Sequence, residues 1–298
     1  MCGIVGLYTK SPGLENHLGR MVSAMLEKMT ERGPDSAGVA IYHDPVSEGS
    51  VKITLQGDDE ADWKDVERVL RENLEAGARI VPIASHGVAT MKCDADRAAS
   101  WIEANLEHVR ITSVGNAIEI FKEKGLPSQV IDKFHLSEMA GTHALGHTRM
   151  ATESAVTTAH SHPFNTGRDL CLVHNGSLSN HNRLRERLRA EGIRFQTDND
   201  SEVAAGYLTW RLGQGASLNE AMEAAIADLD GFYTFAIGTE DGFAVLRDPI
   251  ACKPAVIAET EDWVAMSSEF RAIAQLPGNE KARIWEPEPA TIYSWERS

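Results

Sequence analysis

The 298-residue sequence predicts an α+β fold. Three observations carry this: short apolar strand-like runs cluster toward both ends of the chain, amphipathic helical stripes lie between them, and strands and helices do not alternate as they would in βαβ units. Residues 3–8 form a short apolar run that reads as a buried strand. Leu14, Leu18, Met21, Met25 and Met29 follow at helical spacing over 14–31, and Gly33-Pro34 closes that helix. Residues 37–42 and 51–56 read as strands. Trp63, Val66, Leu70 and Leu74 form a helical stripe ending at Gly77. Strands are expected at 79–84 and 108–114 with a helix near 95–106 between them, and 116–124 and 128–134 each read as a short helix.

The pattern changes near 142. Strands at 144–148 and 170–174 alternate with polar, His-rich loops, and Leu184 and Leu188 mark an Arg-rich helix over 179–190. Asn199-Asp200-Ser201-Glu202 has the form of a capping box opening a helix at 200–212, and Ser217-Leu-Asn-Glu220 that of a second box opening 218–229. Residues 232–238 and 243–247, joined through Glu240-Asp241-Gly242, form a hairpin signal. Strands at 254–258, 263–267 and near 290–295 complete the pattern.

Hydrophobic residues at 42% and charged residues at 24% fit a globular chain with a sizeable core. Lys and Arg total 29 against 44 Asp and Glu, a formal charge of -15. Such a surface repels phosphate backbones and anionic lipid, so neither nucleic acid nor membrane is expected as a partner. No apolar run approaches the ~20 residues that span a bilayer, and no signal peptide is read at the start. Cys2, Cys93, Cys171 and Cys252 are too scattered for a disulfide framework or a zinc ribbon, and a reducing cytoplasm is expected. Cys171 reads as a core strand residue.

Four stretches carry chemistry. Cys2 follows the initiator Met1, and trimming of Met1 would leave one residue with both a thiol and a free α-amine. An α-amine with a pKa of ~7.7–8.0 is partly neutral near pH 7 and can act as the thiol's base. The plain alternative is an incidental small residue before a strand. His174-Asn175-Gly176 follows a strand, where Asn-Gly ordinarily makes a tight turn. The same pair can instead converge two N–H donors on one oxygen, the geometry of an oxyanion hole. In Gly146-His-Thr-Arg-Met-Ala-Thr152, Arg149 offers a planar fork for a carboxylate or else a surface ion pair. Asp200 either complements a helix dipole or holds an ammonium group. His160-Ser-His162, with His143, His147, His174 and His181, lacks any metal-ligand spacing, and no metal is expected.

Taken in order, Cys2-Gly-Ile-Val-Gly-Leu, Arg32-Gly-Pro-Asp-Ser-Ala-Gly38, Gly146–Thr152, Ala159-His-Ser-His-Pro163, Val173-His-Asn-Gly176 and Asp200-Ser-Glu202 resemble the class II glutamine amidotransferase domain, an N-terminal-nucleophile (Ntn) hydrolase. The resemblance covers about 1–44 and 141–275. It implies a four-layer αββα sandwich of two antiparallel sheets between helical layers. It also implies Cys2 as nucleophile, its α-amine as base, and Asn175 and Gly176 as the oxyanion hole. Arg149, with Thr152 nearby, would take the α-carboxylate of L-glutamine and Asp200 its ammonium. His162 would line the pocket, and Arg32 and Asp35 would support the nucleophile's loop.

Two departures stand out. Met150 replaces the aromatic residue that several relatives carry after the Arg, and residues 45–140 exceed the matching region of compact relatives. The expectation is one amidotransferase domain over 2–298 with an insertion at about 45–140 holding two strands and two or three helices. Only a short tail follows 275, so no acceptor domain is expected in this chain. The layout resembles the separate amidotransferase subunit of the glutamate synthase and N-methylglutamate synthase (methylamine–glutamate N-methyltransferase) type. This implies no cofactor in this chain and a glutamate-synthase-like partner subunit carrying FMN and an iron–sulfur cluster. Rival readings are a self-sufficient Ntn amidase acting on another amide and a non-catalytic regulatory subunit that keeps the fold.

Overall fold

A computed structural model describes residues 2–58, 61–150 and 156–297. The chain enters through β1 (Gly3–Thr9), and the expected helix over 14–31 is split into a single turn, α1 (Pro12–Glu15), and α2 (Leu18–Glu27). β2 (Ser36–Tyr42) and β3 (Val51–Gln56) lead to α3 (Trp63–Asn73), β4 (Arg79–Ile83), β5 (His86–Met91) and α4 (Ala95–Asn105). β6 (Arg110–Gly115), β7 (Ile118–Lys124) and α5 (Pro127–Phe134) return the chain to β8 (His143–Arg149). Then come β9 (Phe164–Gly167), β10 (Leu170–Leu178), α6 (His181–Ala190), α7 (Asp200–Gly213) and α8 (Leu218–Asp228). The last elements are β11 (Gly231–Gly238), β12 (Gly242–Arg247), β13 (Val256–Glu259), β14 (Trp263–Ser267), α9 (Phe270–Ile273), β15 (Arg283–Trp285) and β16 (Thr291–Glu296).

Two antiparallel sheets form the body: seven strands in the order β15-β13-β14-β1-β8-β2-β7, and five in the order β16-β12-β11-β10-β9. Successive strand residues point to opposite faces, and here both faces of each sheet are covered, so the strands read as unbroken apolar runs. On β1, Val5 and Leu7 pack with Leu18, Val22 and Met25 of α2 on the outer side. Ile4 and Tyr8 face inward and meet Cys171 and Val173 of β10 and Phe243 and Val245 of β12. On the far side, Leu172, Phe235 and Leu246 pack under Leu184 of α6, Val203 and Tyr207 of α7 and Met222 of α8. Helix, sheet, sheet, helix is the expected four-layer sandwich. The Ser217–Glu220 capping box of α8 and the β11–β12 hairpin form as the sequence indicates. The box expected at Asn199–Glu202 does not close. Asn199 caps α7 by accepting from Ser201 N at 2.9 Å, while Glu202 turns back to bind Gln196 N and Thr197 N at 2.7 and 2.8 Å.

The region expected to be an insertion builds a third sheet, β4-β5-β3-β6, covered by α3 and α4 through Val66, Leu70, Ala98 and Ile102. Its content corrects the sequence reading. Among the described residues, 45–140 hold five strands and three α-helices rather than two strands and two or three helices. β5 escaped notice, and 118–124 is a strand instead of a short helix. Glu119, Lys122 and Glu123 favour a helix locally, but β2 offers an unpaired edge, and β7 pairs with it from Ser36↔Lys124 through Tyr42↔Ile118. Among the described residues no helix is long and apolar enough to cross a membrane.

Candidate active site

The register of β1, β8 and β2 assembles the first half of the site. Gly3 pairs with Thr148 and Ser36 with Arg149, so one step further the pairing sets Cys2 beside Arg149 at one end of the seven-stranded sheet. Alternation fixes where these side chains point. Cys2 shares parity with inward-facing Ile4, and Arg149 with inward-facing Leu145, so both look into the space between the sheets. Arg149 is buried as the last residue of β8. Arg32 braces the terminus: its Nε donates to the Cys2 carbonyl at 3.0 Å and its Nη1 to Glu269 at 2.7 Å. Asp35 N donates to the Arg149 carbonyl at 3.1 Å, tying the start of β2 to the same corner.

The five-stranded sheet supplies the other half. Asn175 and Gly176 do not make a tight turn; they lie inside β10, paired with Thr234 and Tyr233 of β11. Asn175 shares parity with Cys171 and Val173, so it too points between the sheets. Its Nδ2 is buried with no hydrogen-bond partner among the described residues. Gly176 has φ +153°, and a Cβ there would overlap the Phe232 carbonyl oxygen and lie 2.7 Å from His174 Nε2. No other residue fits this backbone without strain.

His147 joins the halves. Its Nε2 donates to the His174 carbonyl at 3.0 Å, drawing β10 onto β8 immediately before Asn175. Because a carbonyl only accepts, His147 carries its proton on Nε2, and its Nδ1 can accept from His162 Nδ1 at 3.1 Å. His162 Nε2 is then a buried lone pair without a partner among the described residues. The His174 ring points the opposite way, toward the helical layer, where Nδ1 meets Ser201 Oγ at 2.8 Å. Burial pushes His147 down to about 3 and holds His162 and His174 below the usual imidazole range, so all three rings are neutral at pH 7. Asp200 opens α7 beside this group, its Oδ2 accepting from Leu178 N at 2.9 Å.

A protein of Rhizobium meliloti (strain 1021) described as glutamine amidotransferase-like protein GlxB is 54% identical over 302 residues, covering 99% of this chain and 98% of that one. The chain belongs to the class II glutamine amidotransferase family. A family model described as a glutamine amidotransferase domain matches residues 147–275. A putative glutamine amidotransferase of Methanothermobacter thermautotrophicus is 28% identical over 98% of this chain and 99% of its own length. In fold, the amidotransferase is similar to the glutamine phosphoribosylpyrophosphate amidotransferase of B. subtilis, with a TM-score of 0.60 at 21% identity over 100% of this chain and 49% of that one. It thus spans about half the length of that structure, and about half of a second one described as the allosteric regulatory enzyme of purine biosynthesis.

Of the residues singled out in this amidotransferase's sequence, Arg32 touches Cys2 and Asp35 touches Arg149 at one corner of the seven-stranded sheet, His162 meets His147, Asn175 and Gly176 lie side by side in β10, and Asp200 bonds Leu178 N. Thr152 lies outside the described residues. The sequence reading weighed His147 and His174 as metal ligands against loop packing or hydrogen bonding, without naming their partners, and gave Ser201 and Glu202 no role beyond motif and cap. Their work depends on partners far along the chain. Glu202, with Thr197 Oγ1 also donating to it at 2.6 Å, shapes the segment leading into Asp200. Among the described residues, no three His, Cys, Asp or Glu side chains gather as metal ligands.

Proposed function

We propose that this amidotransferase hydrolyses L-glutamine to glutamate and ammonia through a thioester on Cys2, after removal of Met1. The single observation that carries the reading is the unpartnered, buried Nδ2 of Asn175, aimed into the same inter-sheet space as Cys2 and Arg149. A buried donor left unmatched costs stability, and a tetrahedral oxyanion is the acceptor it lacks. Arg149 takes the α-carboxylate and Asp200 the ammonium, with Thr152 beside the head group. The unpaired His162 Nε2 is a pocket acceptor.

In this mechanism the α-amine of Cys2 accepts the thiol proton and the sulfur attacks the side-chain carbonyl. Asn175 Nδ2 and Gly176 N–H stabilise the oxyanion. The C–N bond breaks as the protonated amine delivers its proton to departing ammonia. Water then attacks the thioester, giving up a proton to the amine, and glutamate leaves with the thiol restored. Arg32 and Asp35 hold the terminus in place.

We further read 2–298 as one amidotransferase domain with 45–140 as its insertion. It acts in the cytoplasm as a subunit that passes ammonia to a separate glutamate-synthase-like partner, in synthesis of the N-methylglutamate type. The resemblance of layout supports this, and the FMN and iron–sulfur cluster belong to that partner.

The test is intact mass after treatment with a diazoketone analogue of glutamine. One adduct, mapped to Cys2 of a chain lacking Met1 and absent in Cys2→Ala, is expected. Glutamine hydrolysis that survives in Cys2→Ala would overturn the chemistry. Purification from the native source tests the subunit reading: a lone chain with full, unstimulated turnover would count against it.

A further inference from the structure

Lys122 is a buried ammonium on β7, 5% exposed, with no carboxylate in ion-pair contact among the described residues. Its Nζ donates to two main-chain carbonyls, Ser161 O at 2.9 Å and Pro163 O at 3.2 Å, and lies 4.8 Å from the centroid of the Phe164 ring. Burial pushes it down to about 8, with Glu202 opposing and Arg110 adding to the shift. A packing role alone does not call for a charge here, because an apolar side chain fills the same volume without the desolvation cost. The ammonium's contribution is therefore to be sought in what it holds.

The cross-strand rows show what that is. Lys122 pairs with Gly38 of β2, and Gly38 pairs with His147 of β8, so the three stand in one line across the seven-stranded sheet. All three positions share parity with residues that face the second sheet. Gly38 leaves a gap in that line, and a Cβ there would overlap the His162 carbonyl oxygen. The 161–163 backbone is seated in this gap. Lys122 grips it from one side through the carbonyls flanking His162, and His147 meets the His162 ring from the other, with ring centroids 3.9 Å apart. His147 in turn bonds the carbonyl that precedes Asn175.

We propose that Lys122 is a positioning residue for the glutamine site: its ammonium fixes the 161–163 backbone in the Gly38 gap so that His162 and His147 hold the pocket wall and set β10 against β8. The inserted region thereby supplies a working part of the site, since β7 lies within 45–140. This inference rests on the glutaminase reading above.

The experiment compares wild type, Lys122→Gln and Lys122→Met in the full chain. Cys2 is labelled with the diazoketone analogue, or separately with iodoacetamide, and read by peptide mass; thermal melting is followed alongside. Lys122→Met, which leaves the Ser161 and Pro163 carbonyls without this donor, should melt below the wild-type temperature yet alkylate with iodoacetamide at the wild-type rate. Its diazoketone labelling should be at least tenfold less efficient, with the loss in the saturation constant. Lys122→Gln, which can still donate to one carbonyl, should fall between the two. Wild-type labelling in both variants would overturn the positioning role while leaving the Cys2 chemistry intact. So would a lowered melting temperature with both reagents slowed alike, which marks a structural lysine. Absence of a Cys2 adduct in wild type would instead bring down the glutaminase reading, and this inference with it.

Discussion

His147 Nε2 lies 3.0 Å from the main-chain carbonyl of His174, and this hydrogen bond runs from one sheet of the sandwich to the other. It falls two residues before Arg149 and one before Asn175, so it sets the distance between the groups proposed to bind the head and the amide of glutamine. Backbone groups inside a sheet are satisfied by their own ladder, but this carbonyl also accepts from a side chain of the opposing layer. The contact therefore fixes relative placement as well as contributing stability.

His147→Leu should cost about 1–3 kcal/mol, the usual range when a buried acceptor and a neighbouring donor lose a shared partner. Urea denaturation gives the value. Activity should fall further than the unfolded fraction accounts for, because β10 loses its tie to β8. An activity loss fully restored by correcting for folded protein would argue that the bond is only structural.

Asn175 and Gly176 are adjacent yet should respond oppositely. Asn175 Nδ2 has no partner to lose among the described residues. Asn175→Ala should leave the melting temperature nearly unchanged while slowing turnover by ~2.7–4 kcal/mol of transition-state stabilisation, on the order of 10²–10³-fold. Gly176→Ala meets the Phe232 carbonyl and a φ of +153°, so it should destabilise by roughly 3 kcal/mol or more. Thermal melts and glutamine turnover on both variants separate the two effects, and a stable, active Gly176→Ala protein would contradict the backbone argument.

Acid should unfold this protein at higher pH than carboxylate titration alone would require. His86, His143 and His147 are each pushed by burial to about 3. Between their unfolded value near 6.5 and about 3, the unfolded chain binds more protons than the native one. Stability is then fully present above 6.5 and drains as pH falls through that window, by up to about 1.4 kcal/mol per unit for each ring. His86 packs edge-on to Phe134 with centroids 4.7 Å apart, and its Nε2 has no partner among the described residues. His86→Phe should move the acid midpoint, followed by far-ultraviolet circular dichroism, to lower pH. An unchanged midpoint would mean that His86 is not protonated on unfolding in that range.

The elements legible in the sequence were those whose neighbours along the chain decide them. α8 announces itself because Ser217 and Glu220 cap each other, and β11–β12 because the turn joins the two strands directly. The resemblance assigned Cys2, Arg149, Asn175, Gly176 and Asp200 to one proposed site without any contact information. β7 was not legible, since its helix-favouring residues yield to an edge of β2 that lies about 80 residues upstream. Asn175-Gly176 read most simply as a turn because nothing nearby signals that β11, more than 50 residues later, will hold it extended. The links among Lys122, Gly38, His147 and His162 were invisible for the same reason: they are cross-strand and inter-sheet relationships, and each residue alone looks ordinary.

Asp200 offers the cleanest separation of binding from folding. Asn199 already caps α7, so Asp200 contributes a first-turn charge, ~0.3–1 kcal/mol, and bonds from Leu178 N and, at 3.4 Å, Ser201 Oγ that an amide oxygen can also accept. Its side chain is 23% exposed and stands 3.8 Å from the neutral His174 Nδ1, so its charge is not spent on a salt bridge there. Asp200→Asn should therefore keep the melting temperature within the small shift that a lost dipole contact produces. KM for glutamine should rise by roughly 10–100-fold, because the substrate ammonium would be buried without its counter-charge. Steady-state kinetics across glutamine concentrations give the split between KM and kcat. A KM that stays at the wild-type value would remove Asp200 from the substrate clamp and leave it a helix-terminal charge.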